Sequence, residues 1–207
     1  MGIHAEQLRA SLDALAGVEP AFGTALARIG YPEPRISDRG YVTLLRAIVG
    51  QQVSIKAAAA IWARVDAAAG GAADPARLAA VSDEALRAAG LSRMKAAYAR
   101  SLAEEVLTGR LDLAALPADD EEAIAAMTRV RGIGRWSAEI YLLFAEGRLD
   151  IWPAGDLAVQ IEVGRILGLE AKPTEKQTRD LAEPWRPHRG AAAIFAWHHR
   201  RFADGPI

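Results

Sequence analysis

The sequence predicts an all-α fold, and three observations carry that prediction. Alanine is used heavily in a chain of 207 residues that is 51% hydrophobic, and alanine is the best intrinsic helix former. Apolar stretches are punctuated by residues that start helices (Ser, Thr, Asp, Pro) and by glycines that stop them. No stretch sustains the apolar–polar alternation with β-branched residues that a half-buried strand requires, so no sheet is assigned.

The elements follow in order. Residues 3–16 are periodic and stop at Gly17, and Pro20 opens a second helix ending at Gly30. Tyr31-Pro32-Glu33-Pro34 is a two-proline linker and the first candidate domain boundary. A helix over Tyr41 to Val49 leads to Gly50-Gln51-Gln52-Val53-Ser54, where Ser54 can cap a long Ala-rich helix ending near Gly70-Gly71. Asp74-Pro75 and Ser82 begin two short helices, the second stopped by Gly90. Ser92 begins one that runs to Gly109, and Asp119 or Asp120 the next. After a glycine turn at 132–134, an apolar helix spans Arg135 to Glu146. Leu149-Asp150-Ile151-Trp152 is short, extended and closed by Pro153. Helix 157–167 ends at Gly168, Thr174 opens one stopped by Pro184, and the last covers 190–202.

The absence of cysteine excludes a disulfide framework, a thiolate zinc site and a cysteine-ligated iron–sulfur cluster. The N-terminus lacks an apolar signal core, and charges break every apolar stretch well short of a membrane span. The expectation is a soluble, cytoplasmic monomer. Net charge is −1 and pI about 6.4, so no bulk basic footprint marks a nucleic-acid binder. The charge is nevertheless uneven. Lys172, Lys176, Arg179, Arg186, Arg189, Arg200 and Arg201 face Glu175, Asp180, Glu183 and Asp204 near the C-terminus, while Arg129, Arg131 and Arg135 bracket the glycine turn.

Two motifs carry chemistry. Val130-Arg131-Gly132-Ile133-Gly134-Arg135-Trp136-Ser137 places a bare Gly-x-Gly backbone between helices, where N–H groups can approach a phosphate. The same glycines equally suit a tight corner with Ile133 as its core plug. About twenty residues later, Pro153-Ala154-Gly155-Asp156-Leu157 sets one carboxylate at the mouth of a helix. Asp there is a favoured N-cap, and a helix N-terminus also favours its ionised form. Capping and catalysis are compatible.

These motifs, with Ile48-Val49-Gly50-Gln51-Gln52-Val53-Ser54, Trp136-Ser137-Ala138-Glu139 and Trp185-Arg186-Pro187-His188-Arg189, match in order the blocks of one family. From about residue 20 onward the chain resembles the AlkA-type 3-methyladenine DNA glycosylase II family of helix-hairpin-helix (HhH-GPD) DNA glycosylases. The resemblance implies two helical lobes, residues 1–36 plus 146–207 and residues 37–145, the second carrying the hairpin. It implies hydrolysis of the N-glycosidic bond of alkylated bases in double-stranded DNA. Asp156 falls at the catalytic aspartate, and Trp136, Trp197 and Tyr141 at or near the base pocket. DNA contacts fall to Gly132, Gly134, Arg131, Arg135, Gln51, Gln52, Ser54 and Arg189. No cofactor is implied beyond a monovalent cation, Na⁺ or K⁺, held by the backbone of Arg131 and Ile133.

Trp136 decides the subclass. Lyase-competent relatives have a lysine at this place to attack C1′ as a Schiff-base nucleophile; tryptophan offers a π-face for a cationic base instead. The chain departs from the family at Gln52, where leucine is the familiar wedge, at Arg131, where proline is frequent, and at Ile140, where an aromatic is common. A counterpart to the extra N-terminal domain of the bacterial enzyme that gives the family its name is not expected here, and His198-His199 reads as incidental. Rival readings are a non-catalytic helix-hairpin-helix DNA-binding module and a glycosylase for oxidised or mismatched bases.

Overall fold

The computed structural model describes residues 2–203, all of whose regular structure is helical. Asp204, counted above among the C-terminal charges, lies outside them. The chain divides into two compact units, residues 1–37 with 139–207, and residues 38–138. The second boundary falls inside a helix, and the apolar run Tyr141, Leu142, Leu143, Phe144 and Ala145 that follows it is buried.

In the discontinuous unit, α1 (Ala5–Val18) packs on α2 (Pro20–Ile29). Gly17 does not stop α1; the helix runs one residue further and ends at Glu19, whose carboxylate accepts from the Ala21 N–H at the start of α2. The C-terminal part adds α10 (Leu157–Ile166), α11 (Glu175–Leu181), a 3₁₀ turn (Glu183–Trp185) and α12 (Arg189–Ala203). Leu8, Leu12, Leu15, Phe22, Val159, Val163, Trp185 and Phe195 fill the core. Trp185 meets Phe22 edge-on at 5.0 Å between ring centroids and Trp152 at 5.6 Å, a preferred aromatic geometry. The start of α12 lies so close to 149–152 that a Cβ on Gly190 would stand 2.5 Å from the Leu149 carbonyl oxygen.

In the continuous unit, α3 (Tyr41–Gly50) packs against α4 (Ile55–Ala69) and α7 (Arg93–Leu107). The short α5 (Pro75–Ala80) and α6 (Asp83–Ala88) cover α7, and α8 (Asp120–Thr128) leads into the hairpin. The expected caps form: Ser54, Asp74, Ser82, Ser92 and Asp119 each accept from a backbone N–H in the first turn of their helix. Every such bond satisfies a donor that the helix itself leaves unpaired.

The remaining helix, α9 (Arg135–Tyr141), does not continue as an α-helix to Glu146 as its sequence predicts. It widens into a π-helical turn over Leu142–Glu146, ended by Gly147 in the left-handed region. Pro184 likewise sits within the 3₁₀ turn instead of merely stopping α11.

Candidate active site and DNA-binding hairpin

The hairpin is built on α7. Ile133 plugs the core beside Met127 and Val130. Gly132 has φ +88, and a Cβ there would stand 2.2 and 2.3 Å from Tyr98 Cδ2 and Cγ, so only glycine fits. The Arg131 N–H donates to Ser101 Oγ at 3.1 Å, and Gln51 Nε2 donates to the Gly132 carbonyl at 2.9 Å. Gln51 thereby ties the 50–54 loop to the hairpin. Lys95 on α7 anchors the end of α3 that leads into this loop, its Nζ donating to the Val49 carbonyl at 2.8 Å.

Around Gly134 the backbone is open. A Cβ there would meet nothing within 4 Å, and its N–H has no hydrogen-bond partner among the described residues. The Gly134 carbonyl accepts from Ala138 at 3.1 Å, starting α9. Gln52, on the neighbouring loop, is exposed and is the one non-glycine described residue with positive φ, +54. A polar residue held in that region outside a helix is a feature of functional sites. Arg131 is exposed, Arg135 pairs with Glu121 at 2.8 Å, and Trp136 leaves half its surface open. Ser54 is exposed, its hydroxyl accepting from Ala57.

The second set of residues lies in the discontinuous unit. Asp156 caps α10 and is partly buried. Its Oδ1 accepts from the N–H groups of Ala158 at 2.8 Å and Val159 at 3.0 Å, and from the Trp197 indole Nε1 at 3.3 Å. Oδ1 thus takes three donors, two from the backbone of α10 and one from α12. Trp197 rests on Phe144, with ring centroids 5.7 Å apart and planes 34° from parallel, and the Arg35 guanidinium lies 5.2 Å from the Phe144 centroid on the π-helical turn. These rings, with Ile194 and His198, line a cavity of about 90 Å³. Burial pushes the His198 imidazole below its ordinary range.

Three expectations are corrected. Tyr141 is 4% exposed, in the core rather than on an open wall. Arg189 is also buried: its Nε and a terminal nitrogen bracket the Asp150 carboxylate at 2.9 and 2.8 Å, and the other terminal nitrogen donates to Glu183 at 3.2 Å. The guanidinium is therefore committed within the protein, where it holds the start of α12. His199 is not incidental, since its Nδ1 lies 2.7 Å from the fully buried Glu162, which also accepts from Arg165 at 2.8 Å.

Tyr98, Ser101 and Phe144 escaped the sequence reading. Each supports a motif from another helix, and no local pattern announces that. Among the described residues no side-chain cluster could hold a metal ion, and no helix is long and apolar enough to cross a membrane.

Comparison with known proteins agrees with this geometry. Residues 45–187 match the model of the HhH-GPD superfamily base excision DNA repair protein. DNA-3-methyladenine glycosylase 1 of Schizosaccharomyces pombe is 30% identical over 92% of this chain and 86% of its own. The crystal structure of a DNA-3-methyladenine glycosidase from Bacillus halodurans superposes with a TM-score of 0.84 at 33% identity, covering 94% of this chain and 91% of that one. The Schizosaccharomyces pombe 3-methyladenine DNA glycosylase Mag1, in complex with abasic DNA, gives 0.79 at 29% identity over 96% and 100%. The chain belongs to the HhH-GPD superfamily of base excision DNA repair proteins.

Proposed function

We propose that this protein is a monofunctional DNA glycosylase that hydrolyses the N-glycosidic bond of alkylated bases, of the 3-methyladenine and 7-methylguanine type, in double-stranded DNA. The observation that carries the reading is Asp156, a carboxylate fixed on α10 by two backbone N–H groups and an indole N–H. Cleavage of an N-glycosidic bond builds oxocarbenium character on the sugar. A preorganised anion near C1′ stabilises that charge and orients or deprotonates the attacking water. The bonding electrons leave with the base, and a base made cationic by alkylation needs no acid to protonate it.

The hairpin supplies the grip. The open N–H at Gly134 suits a phosphate oxygen, and the exposed Arg131 adds positive charge beside it. The carbonyls of Arg131 and Ile133 accept no hydrogen bond from the described residues, so they fit a monovalent cation, which would add positive charge facing the phosphate. Gln52, exposed and backbone-strained, is the side chain to fill the gap left by an extruded nucleotide. Trp136 and Trp197 offer aromatic faces to a cationic base. Because tryptophan stands where a lyase needs lysine, water is the nucleophile and the abasic strand is left uncut. One copy of the chain suffices.

The test is base release from methylated DNA with products separated by chromatography. Asp156→Asn should lower the rate by roughly 10²–10³-fold, the loss seen for one preorganised electrostatic group, while leaving DNA affinity intact. Activity within tenfold of wild type removes Asp156 from this role. A borohydride-trapped covalent complex, or excision of 8-oxoguanine as fast as 3-methyladenine, sinks the monofunctional alkyl-base reading.

A further inference from the structure

We infer that Trp197 is a positioning residue for the Asp156 carboxylate, through its indole N–H, in addition to any face it shows a base. The inference rests on the proposed role of Asp156 at the sugar. Two of the three donors to Oδ1 come from adjacent residues at the start of α10, Ala158 and Val159. They hold the oxygen from within its own helix. The third donor comes from α12, a separate element, and ties the carboxylate to that helix.

That donor is itself held. Trp197 is partly buried, and one side of its indole lies against Phe144, which is 5% exposed. Phe144 sits on the π-helical turn that follows α9, and the Arg35 guanidinium lies near its ring. Within that turn, Phe144 stands against Trp197. An indole pressed on a fixed ring has little freedom to rotate, so its N–H stays directed at Oδ1. A base-stacking role alone requires no donor and no partner at Asp156.

Abasic DNA separates the two roles, because it has no base to stack. Duplexes carrying a neutral tetrahydrofuran abasic site, or a cationic pyrrolidine abasic site with its charge near the place of C1′, are compared by equilibrium binding. The wild type should prefer the cationic duplex, and Asp156→Asn should abolish that preference. Trp197→Phe keeps an aromatic ring, smaller than the indole, and deletes the donor. It should bind the neutral duplex as wild type does, which also certifies its fold, and reduce the preference for the cationic one by about tenfold, the low end for a hydrogen bond to a charged group. If Asp156→Asn loses the preference and Trp197→Phe keeps it, the inference is overturned while the proposed function stands. If Asp156→Asn keeps it, the anion at the sugar is not Asp156, and the proposed role falls together with the inference.

Discussion

Replacing Gly132 with alanine tests whether the hairpin is a rigid platform. The added Cβ would lie 2.2 Å from Tyr98 Cδ2, 2.3 Å from Cγ and 2.8 Å from Cε2. Cγ is near the root of the side chain, so Tyr98 cannot clear the methyl by moving its ring tip; the ring must leave, or the hairpin must rise off α7. Overpacking of this kind costs about 1–3 kcal/mol. The φ of +88 adds about 1–2 kcal/mol for any residue with a Cβ. Together they destabilise by roughly 2–5 kcal/mol, and at roughly 2–4 °C per kcal/mol for a chain of this size the melting temperature should fall by about 4–20 °C. Thermal and urea unfolding measure the loss. Tyr98→Ala, itself destabilising, should cost much less in the Gly132→Ala background than in the wild type, because removal of the ring relieves the clash. A Gly132→Ala protein as stable as wild type, or full additivity with Tyr98→Ala, refutes the close packing on which the argument rests.

Gly134→Val places its side chain in open space, so stability should change by less than about 1 kcal/mol while DNA affinity falls about tenfold or more, the value of a hydrogen bond to a charged group. The loss should be alike for every sequence, and wild-type affinity should fall steeply with salt despite a pI of about 6.4; a flat salt dependence reduces the hairpin to a structural corner. Tyr41→Phe should stabilise by up to about 1–3 kcal/mol, because its hydroxyl is buried without a partner among the described residues. Burial also pushes the Tyr41 phenol up, so its contribution is intact below the ordinary pH of about 10 and is lost above it, at up to about 1.4 kcal/mol per pH unit. Urea titrations above pH 10 should therefore show a slope in the wild type that is smaller in Tyr41→Phe. Arg189→Ala should cost roughly 1–3 kcal/mol of stability by removing the buried donors to Asp150 and Glu183, both of which keep Arg186; reduced DNA binding in an undestabilised protein would restore the contact expected from the sequence.

The helices were legible because their signals are local. A cap is a hydroxyl or carboxylate within three residues of the N–H it serves, so Ser54, Ser82, Ser92 and Asp156 could be read one helix at a time. Gly17 and Pro184 misled for the same reason. A glycine costs an interior helix position only about 1 kcal/mol, and α1 recovers it by burying Leu12 and Leu15. Proline supports the first turn of a helix as readily as it ends one. The π-turn over Leu142–Glu146 has no such local mark, since Leu-Leu-Phe-Ala-Glu is good α-helix sequence. It places five residues where burial in the first unit, rather than propensity, decides the backbone.

The same distinction explains the site. Asp156 and the Gly132–Gly134 hairpin stood out because each motif is contiguous, and resemblance supplied their roles. What holds them in place is noncontiguous. Ser101 holds the Arg131 N–H across 30 residues, Gln51 the Gly132 carbonyl across 81, and Trp197 the Asp156 carboxylate across 41. Arg189 shows the converse. An arginine in a matching block invites a DNA contact, yet Asp150, 39 residues earlier, meets its guanidinium with both carboxylate oxygens. A buried bidentate pair of that kind leaves few donors for a phosphate. Residue type at a motif position thus says which chemistry is available, and the partner brought by the fold says whether it is already spent; for Asp156 the partners include three N–H donors, an arrangement that suits the role proposed for it at the sugar.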